Sequence, residues 1–160
     1  MLIGNPDGFA VWYDSVDSWS TDNFKNGCFS YFIGGNLIWS LDATIDVDVN
    51  LLSSLSCLES DVEDAELFNL PASVSYGRLV ERAFPEMDSN VEMNDYRNLV
   101  SVGSLLDAGF QVFIIEFEDQ AKLVWGRRGE DDAVRELILK RGEFQEVVRD
   151  VISRFGFLAR

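Results

Sequence analysis

Apolar and polar residues alternate along this chain in two different periods, and the changes of period mark its elements. Residues 9–17 (FAVWYDSVD) and 28–33 (CFSYFI) are aromatic and β-branched runs of strand length. Gly34-Gly35-Asn36 then supplies the positive-φ residues of a tight hairpin turn. From Leu37 to Val49 the period is two. Leu37, Trp39, Leu41, Ala43, Ile45, Val47 and Val49 fall on one side of an extended chain, with Ile38, Ser40, Asp42, Thr44, Asp46 and Asp48 on the other. Thirteen residues is long for one strand, which predicts a bulge or break near Asp42. With the apolar set turned inward, the outer face carries three aspartates.

Helical spacing follows. Asn50 is placed to cap a short helix built on Leu51, Leu52, Leu55 and Leu58. Residues 59–66 (ESDVEDAE) read as an acidic loop or helix start. Tyr76, Leu79, Val80, Ala83 and Phe84 predict a helix with Ser75 as cap and Pro85 as stop, and 86–94 a polar loop. Tyr96–Ser101 reads as a strand and Ser104–Gly109 as a helical turn ended by glycine. Phe110–Phe117 (FQVFIIEF) is apolar on both faces, as in a central, doubly covered strand. A turn at Glu118-Asp119-Gln120 leads to a strand at Ala121–Gly126. Val134–Lys140 fits strand or helix, with strand favoured by Gly142 and the amphipathic segment beyond it. There Phe144, Val147, Val148, Val151, Ile152 and Phe155 keep a helical stripe up to Gly156. The sum is one α+β domain over residues 1–160, with a mostly antiparallel twisted sheet and about three helices, the last amphipathic.

Charge sharpens this picture. Residues 1–76 hold twelve carboxylates against the single Lys25, so eleven of the fifteen net negative charges lie there. Such a field repels nucleic acid and anionic membrane and attracts a basic partner at long range. The opening Met-Leu-Ile-Gly-Asn-Pro has neither the basic nor the apolar region of a secretory signal, and no apolar run approaches the roughly 20 residues that span a bilayer. A cytoplasmic protein is the expectation. Cys28 and Cys57 lack metal-type spacing and fit reduced, buried thiols.

The search for chemistry ends in eliminations. With no histidine, neither Ser-His-Asp nor Cys-His nucleophile systems can be built, nor zinc sites of the usual histidine-containing kinds. Phosphate-binding and dinucleotide-binding glycine motifs are missing. Asp46-Val-Asp48-Val-Asn50 begins like a calcium loop, but Leu51 stands where glycine is needed and Cys57 where the bidentate glutamate is needed. No carboxylate pair is singled out for acid–base work. The expectation is a binding protein without cofactor or metal, not an enzyme. Of four tryptophans, Trp39 and Trp125 sit in strand patterns that predict core packing. Trp19, in a polar run, fits an exposed aromatic anchor or a buried loop plug.

Several short motifs carry a resemblance. Gly4-Asn5-Pro6, the aromatic strand with Trp12 and then Trp19, Lys25-Asn26-Gly27, Asp95-Tyr96-Arg97, Leu105–Gly109, the FQVFIIEF strand and the closing strand–Gly142–helix together resemble the immunity protein 42 family of bacterial polymorphic-toxin and contact-dependent-inhibition systems. That resemblance implies a cytosolic inhibitor that binds one cognate toxin domain and blocks or clamps its active site. A nuclease with a basic cleft suits the charge. The contact residues expected from charge and pattern are Asp42, Asp46 and Asp48 on the strand, Glu59, Asp61, Glu63, Asp64 and Glu66 in the loop, and Trp19. The same carboxylates would also serve plain solubility. An acidic regulatory module, or a nucleic-acid mimic directed at a basic host partner, stays open beside the immunity reading, as does homo-oligomer formation.

Overall fold

The computed structural model describes residues 1–87 and 93–158. In chain order they form β1 (Leu2–Gly4), β2 (Phe9–Ser15), β3 (Asn26–Ile33), β4 (Asn36–Thr44), α1 (Ile45–Ser53), α2 (Ala65–Asn69), α3 (Ala72–Ala83), α4 (Gly103–Asp107), β5 (Phe110–Phe117), β6 (Gln120–Arg127), β7 (Arg135–Lys140) and α5 (Glu143–Leu158). The class is α+β, and all named strand pairs are antiparallel, as expected. Two sheets replace the expected one, ordered β1-β2-β3-β4 and β5-β6-β7. The described residues contain five α-helices where about three were expected.

Cα packing divides these elements into two compact units, each drawn from separate stretches of chain. The first comprises 1–54, 102–109 and 142–160. Its meander buries Phe9, Val11, Phe29, Tyr31 and Ile33 on one face, against Phe144, Val148 and Val151 of α5. Phe9 sits at the centre, its ring 5.2 Å from Tyr31 and 4.6 Å from Phe144. The β3–β4 hairpin turns through Gly34 (φ 56°) and Gly35 (φ 79°), the left-handed conformations that glycine adopts without cost.

That turn decides the faces of β4. It aligns Ile33 with Asn36 and hence Tyr31 with Ile38, so Ile38 shares Tyr31's buried face. Ile38 and Ser40 are buried, whereas Leu37, Trp39 and Leu41 are 48%, 46% and 56% exposed. The expected inward and outward sets are therefore exchanged over 37–41, and Trp39 is not a core residue. The bulge expected near Asp42 is present. Phe29 pairs with Ser40 and Gly27 with Ala43, which leaves Leu41 and Asp42 together opposite Cys28. Beyond Thr44 the predicted strand gives way to α1. Ile45, Asp48, Val49 and Leu52 are buried at i, i+3, i+4 and i+7, a helical stripe that the alternating IDVDV run also contains. Asn50 consequently lies within the helix and does not cap it.

The second unit comprises 55–101 and 110–141. Leu67, Phe68, Tyr76, Leu79 and Ala83 of α2 and α3 pack with Phe113, Ile115 and Val124 of the second sheet. Helix α3 starts at Ala72, behind Pro71, and its Ser75 is buried inside it, with the hydroxyl bonded back to the Ala72 carbonyl. β6 is central and β5 terminal in the sheet order. β5 is nonetheless covered. Its outer edge is hydrogen-bonded by Asn98 and Val100 and by Val62 and Asp64. Residues 96–101 thus contribute one isolated bridge, Leu99 to Phe113, where a strand was expected. The predicted polar loop 86–94 lies partly outside the described residues. In the first unit α5 continues through Gly156 to Leu158, past the predicted stop.

Candidate partner-binding surfaces

The expected acidic contact residues divide between the two units. In the second, the loop carboxylates are largely engaged by the chain itself. Residues 62–64 run beside β5. The Val62 amide donates to Glu116 Oε1 at 3.1 Å, and the Asp64 amide to the Glu116 carbonyl at 2.9 Å. Glu116 is buried, and Arg141 answers its charge. The Arg141 guanidinium lies 3.5 Å from Glu116 Oε2, 2.6 Å from Glu63 Oε2 and 3.4 Å from Asp61 Oδ1, and also donates to the Glu118 carbonyl at 2.9 Å. The hydrogen bond to Glu63, then the charges of Glu116, Glu63 and Asp61, hold the guanidinium above its ordinary pKa against the opposing effect of burial. Asp64 caps α2 by accepting from the Leu67 amide at 2.9 Å, an N-terminal carboxylate that also suits the helix dipole. Glu66 is paired with Arg78 at 2.8 Å. Glu59 is exposed. Arg141 was not singled out by its sequence context. Its role comes from a loop almost eighty residues earlier, a separation that no local pattern reports.

In the first unit the three aspartates do not form one strand face. Asp42 is exposed in the β4 bulge. Asp46 is half-buried in the first turn of α1, where it accepts the Lys25 amide at 2.8 Å. Asp48 is only 2% exposed and cannot meet a partner. Its Oδ1 accepts the Ser104 amide at 3.1 Å at the start of α4, while Oδ2 has no hydrogen-bond partner among the described residues. Burial pushes the Asp48 pKa up, hydrogen bonding from Ser104 works against that, and the Asp107 charge adds to the rise.

A pH dependence follows from Asp48. Its native pKa lies above the unfolded value, so the native state holds the proton more tightly. The stability it contributes is full below the ordinary carboxylate range and declines as pH rises through the raised native value. Asp48→Asn keeps an acceptor for Ser104 and removes the charge, so it should abolish that decline and be no less stable than the parent at neutral pH. Asp48→Ala, which strands the Ser104 amide, should cost about 1–3 kcal/mol. Urea unfolding of the three proteins at acid and neutral pH separates these outcomes. An unchanged pH slope in Asp48→Asn would count against this assignment.

Trp19 is half exposed, at the end of a 3₁₀ turn (Asp17–Trp19). Its carbonyl is held by Asn26 Nδ2 at 2.8 Å. Gly27 beside it is sterically required, since a Cβ there would lie 2.0 Å from the Asp14 carbonyl oxygen. The Lys25-Asn26-Gly27 motif is therefore structural: it fixes the Trp19 loop to β3. Trp19, Asn26, Gly27, Leu41, Asp42 and Ala43 line an open hollow of about 390 Å³. Trp125 is buried, as its strand pattern predicts. Among the described residues no group of three or more Cys, Asp or Glu side chains is arranged to hold a metal ion, and no helix is long and apolar enough to cross a membrane.

The outward face of the first sheet is the surface that sequence reading missed. Leu2, Trp12, Ser30 and Trp39 stand in one cross-strand row, flanked by Leu37 and Leu41. Counting register back from the two-glycine turn would have revealed it.

Comparison with known proteins gives a consistent result. A family model described as immunity protein 42 matches residues 1–154. The crystal structure of CdiI from Burkholderia dolosa AUO158 is similar at 49% identity, with 96% of this chain and 99% of that chain covered and a TM-score of 0.93. No curated protein matches.

Proposed function

The chain belongs to the immunity protein 42 family, and from that premise we propose that it binds and neutralises one cognate bacterial toxin domain. The observation that carries the reading is the family match over nearly the whole length, supported by likeness to a CdiI protein at both the sequence and the fold level. Residues 1–160 act as one functional domain in the cytoplasm. The chain performs no chemistry: it blocks the toxin's active site, or clamps beside it. A net charge of −15 favours a basic protein partner, and a nuclease with a basic cleft is the toxin class it fits best. The same charge disfavours nucleic acid and anionic membrane as partners.

Binding to the toxin domain encoded beside this chain tests the proposal. Capture of that domain, with association that slows as salt shortens the Debye length below about 10 Å, is the expected result. Capture at a rate indifferent to salt would remove the electrostatic nuclease version and leave the immunity reading. Failure to capture the domain would remove both.

A further inference from the structure

Two surfaces compete for the partner, and their charges differ in kind. In the second unit Asp61 and Glu63 share the single cation of Arg141 with buried Glu116, Glu66 pairs with Arg78, Asp64 caps its own helix, and Glu59 is exposed. Arg141 and Arg78 thus offset part of the loop's charge. In the first unit, Asp14, Asp17, Asp22 and Asp42 make no ion pair and no side-chain hydrogen bond among the described residues, and Lys25 is the only base before Arg78. A carboxylate with no paired cation presents its full charge to an approaching basic partner.

Those carboxylates border an apolar sheet face. Asp14 lies on β2 two residues from Trp12 and therefore on the same side of the sheet, and Asp42 shares the β4 bulge with Leu41. Ser30 stands between Trp12 and Trp39 in the cross-strand row and is fully buried although it faces outward, its hydroxyl donating to the Trp12 carbonyl at 3.3 Å. Leu37, Trp39 and Leu41 leave about half of each side chain in water, which is unusual for three alternate residues of one strand. The far end of the strand opens into the hollow lined by Trp19, Leu41 and Asp42. An apolar centre with a polar, charged rim is the anatomy of a protein interface, with tryptophan its commonest anchor.

We infer that the toxin docks on this outward face of the β1–β4 sheet, centred on Trp39 and Leu41, and not on the acidic loop 59–66. The inference rests on the immunity reading. The complementary surface is a protein patch with an aliphatic or aromatic centre ringed by lysine or arginine. The apolar centre sets the lifetime of the complex, and Asp14 and Asp42 set its rate of formation.

The test is binding kinetics of the purified full chain with its cognate toxin domain, alongside sedimentation of the chain alone. Trp39→Ser and Leu41→Ser change exposed side chains, and circular dichroism and thermal melting confirm that each variant is folded. Either should weaken binding roughly 30-fold or more, mostly through faster dissociation. Asp14→Asn with Asp42→Asn should slow association several-fold and flatten its salt dependence. Glu59→Gln with Glu66→Gln should stay within about twofold of the parent, because neither residue lies on that sheet face. If the parent binds and the sheet-face variants bind equally well, the docking surface is wrong and the immunity reading stands. If the parent does not bind, both fail. If the parent is a dimer that Trp39→Ser dissociates without loss of toxin affinity, the face belongs to a second copy of this chain and the proposal is overturned.

Discussion

Phe9→Ala is expected to cost about 3–5 kcal/mol, on the scale of other buried phenylalanine truncations. Phe9 is fully buried, and it joins the first sheet to α5 through edge contact with Tyr31 and tilted contact with Phe144. The cavity left behind would lie under three packed elements that have little freedom to close it. In a chain of this size that loss corresponds to a fall in melting temperature of about 6–20 °C. Phe9→Leu retains most of the volume and should cost less than about 1.5 kcal/mol. A thermal melt of the two variants checks the ordering. Equal, small losses would mean that α5 does not depend on this contact.

Arg141→Met should destabilise by about 1–3 kcal/mol, the scale for taking a charged partner from a buried polar group. The penalty comes from Glu116, whose buried carboxylate would keep the Val62 amide and lose its cation. The exposed contacts of Arg141 with Asp61 and Glu63 matter much less, since solvent screens them. Hence Arg141→Met combined with Glu116→Gln should recover more than half of the loss: it removes the stranded charge and keeps an acceptor for Val62. Urea unfolding of the single and double variants measures this. A double variant as unstable as the single one would show that the guanidinium acts by packing and not by compensating Glu116.

Local pattern disclosed much of this fold. The hairpin at Gly34-Gly35, the bulge at Asp42, the amphipathic stripe of α5 and the β5–β6–β7 run all depend on residues close together in sequence. Errors arose where one pattern served two periods. Ile45, Val49 and Leu52 satisfy a helix, while Ile45, Val47 and Val49 satisfy a strand, and only packing chose between them. Face assignment over 37–41 failed for a related reason. The alternation is real, but the more apolar set points outward, and the hairpin register overrides hydropathy.

The candidate surface was harder to read than the fold. Acid-rich composition singles out 59–66, yet charge counts cannot show that Arg141 and Arg78 pair with three of its carboxylates. Asp48 looked like its neighbours Asp42 and Asp46, and a change from strand to helix placed it in the interior. The family resemblance was legible because its motifs are structural: Asn26 and Gly27 hold the Trp19 loop, and Gly109 (φ 92°) ends α4. Motifs of that kind identify a scaffold and leave partner contacts to be found by geometry.

Neutralisation of the toxin is tested most directly by a titration. The toxic activity of the domain encoded beside this chain is measured while the purified chain is added in increasing molar ratio. Activity that falls steadily and vanishes at equimolar chain is the predicted result, as for a tight inhibitor that performs no turnover. Activity undiminished at large molar excess, with both proteins folded, would contradict it.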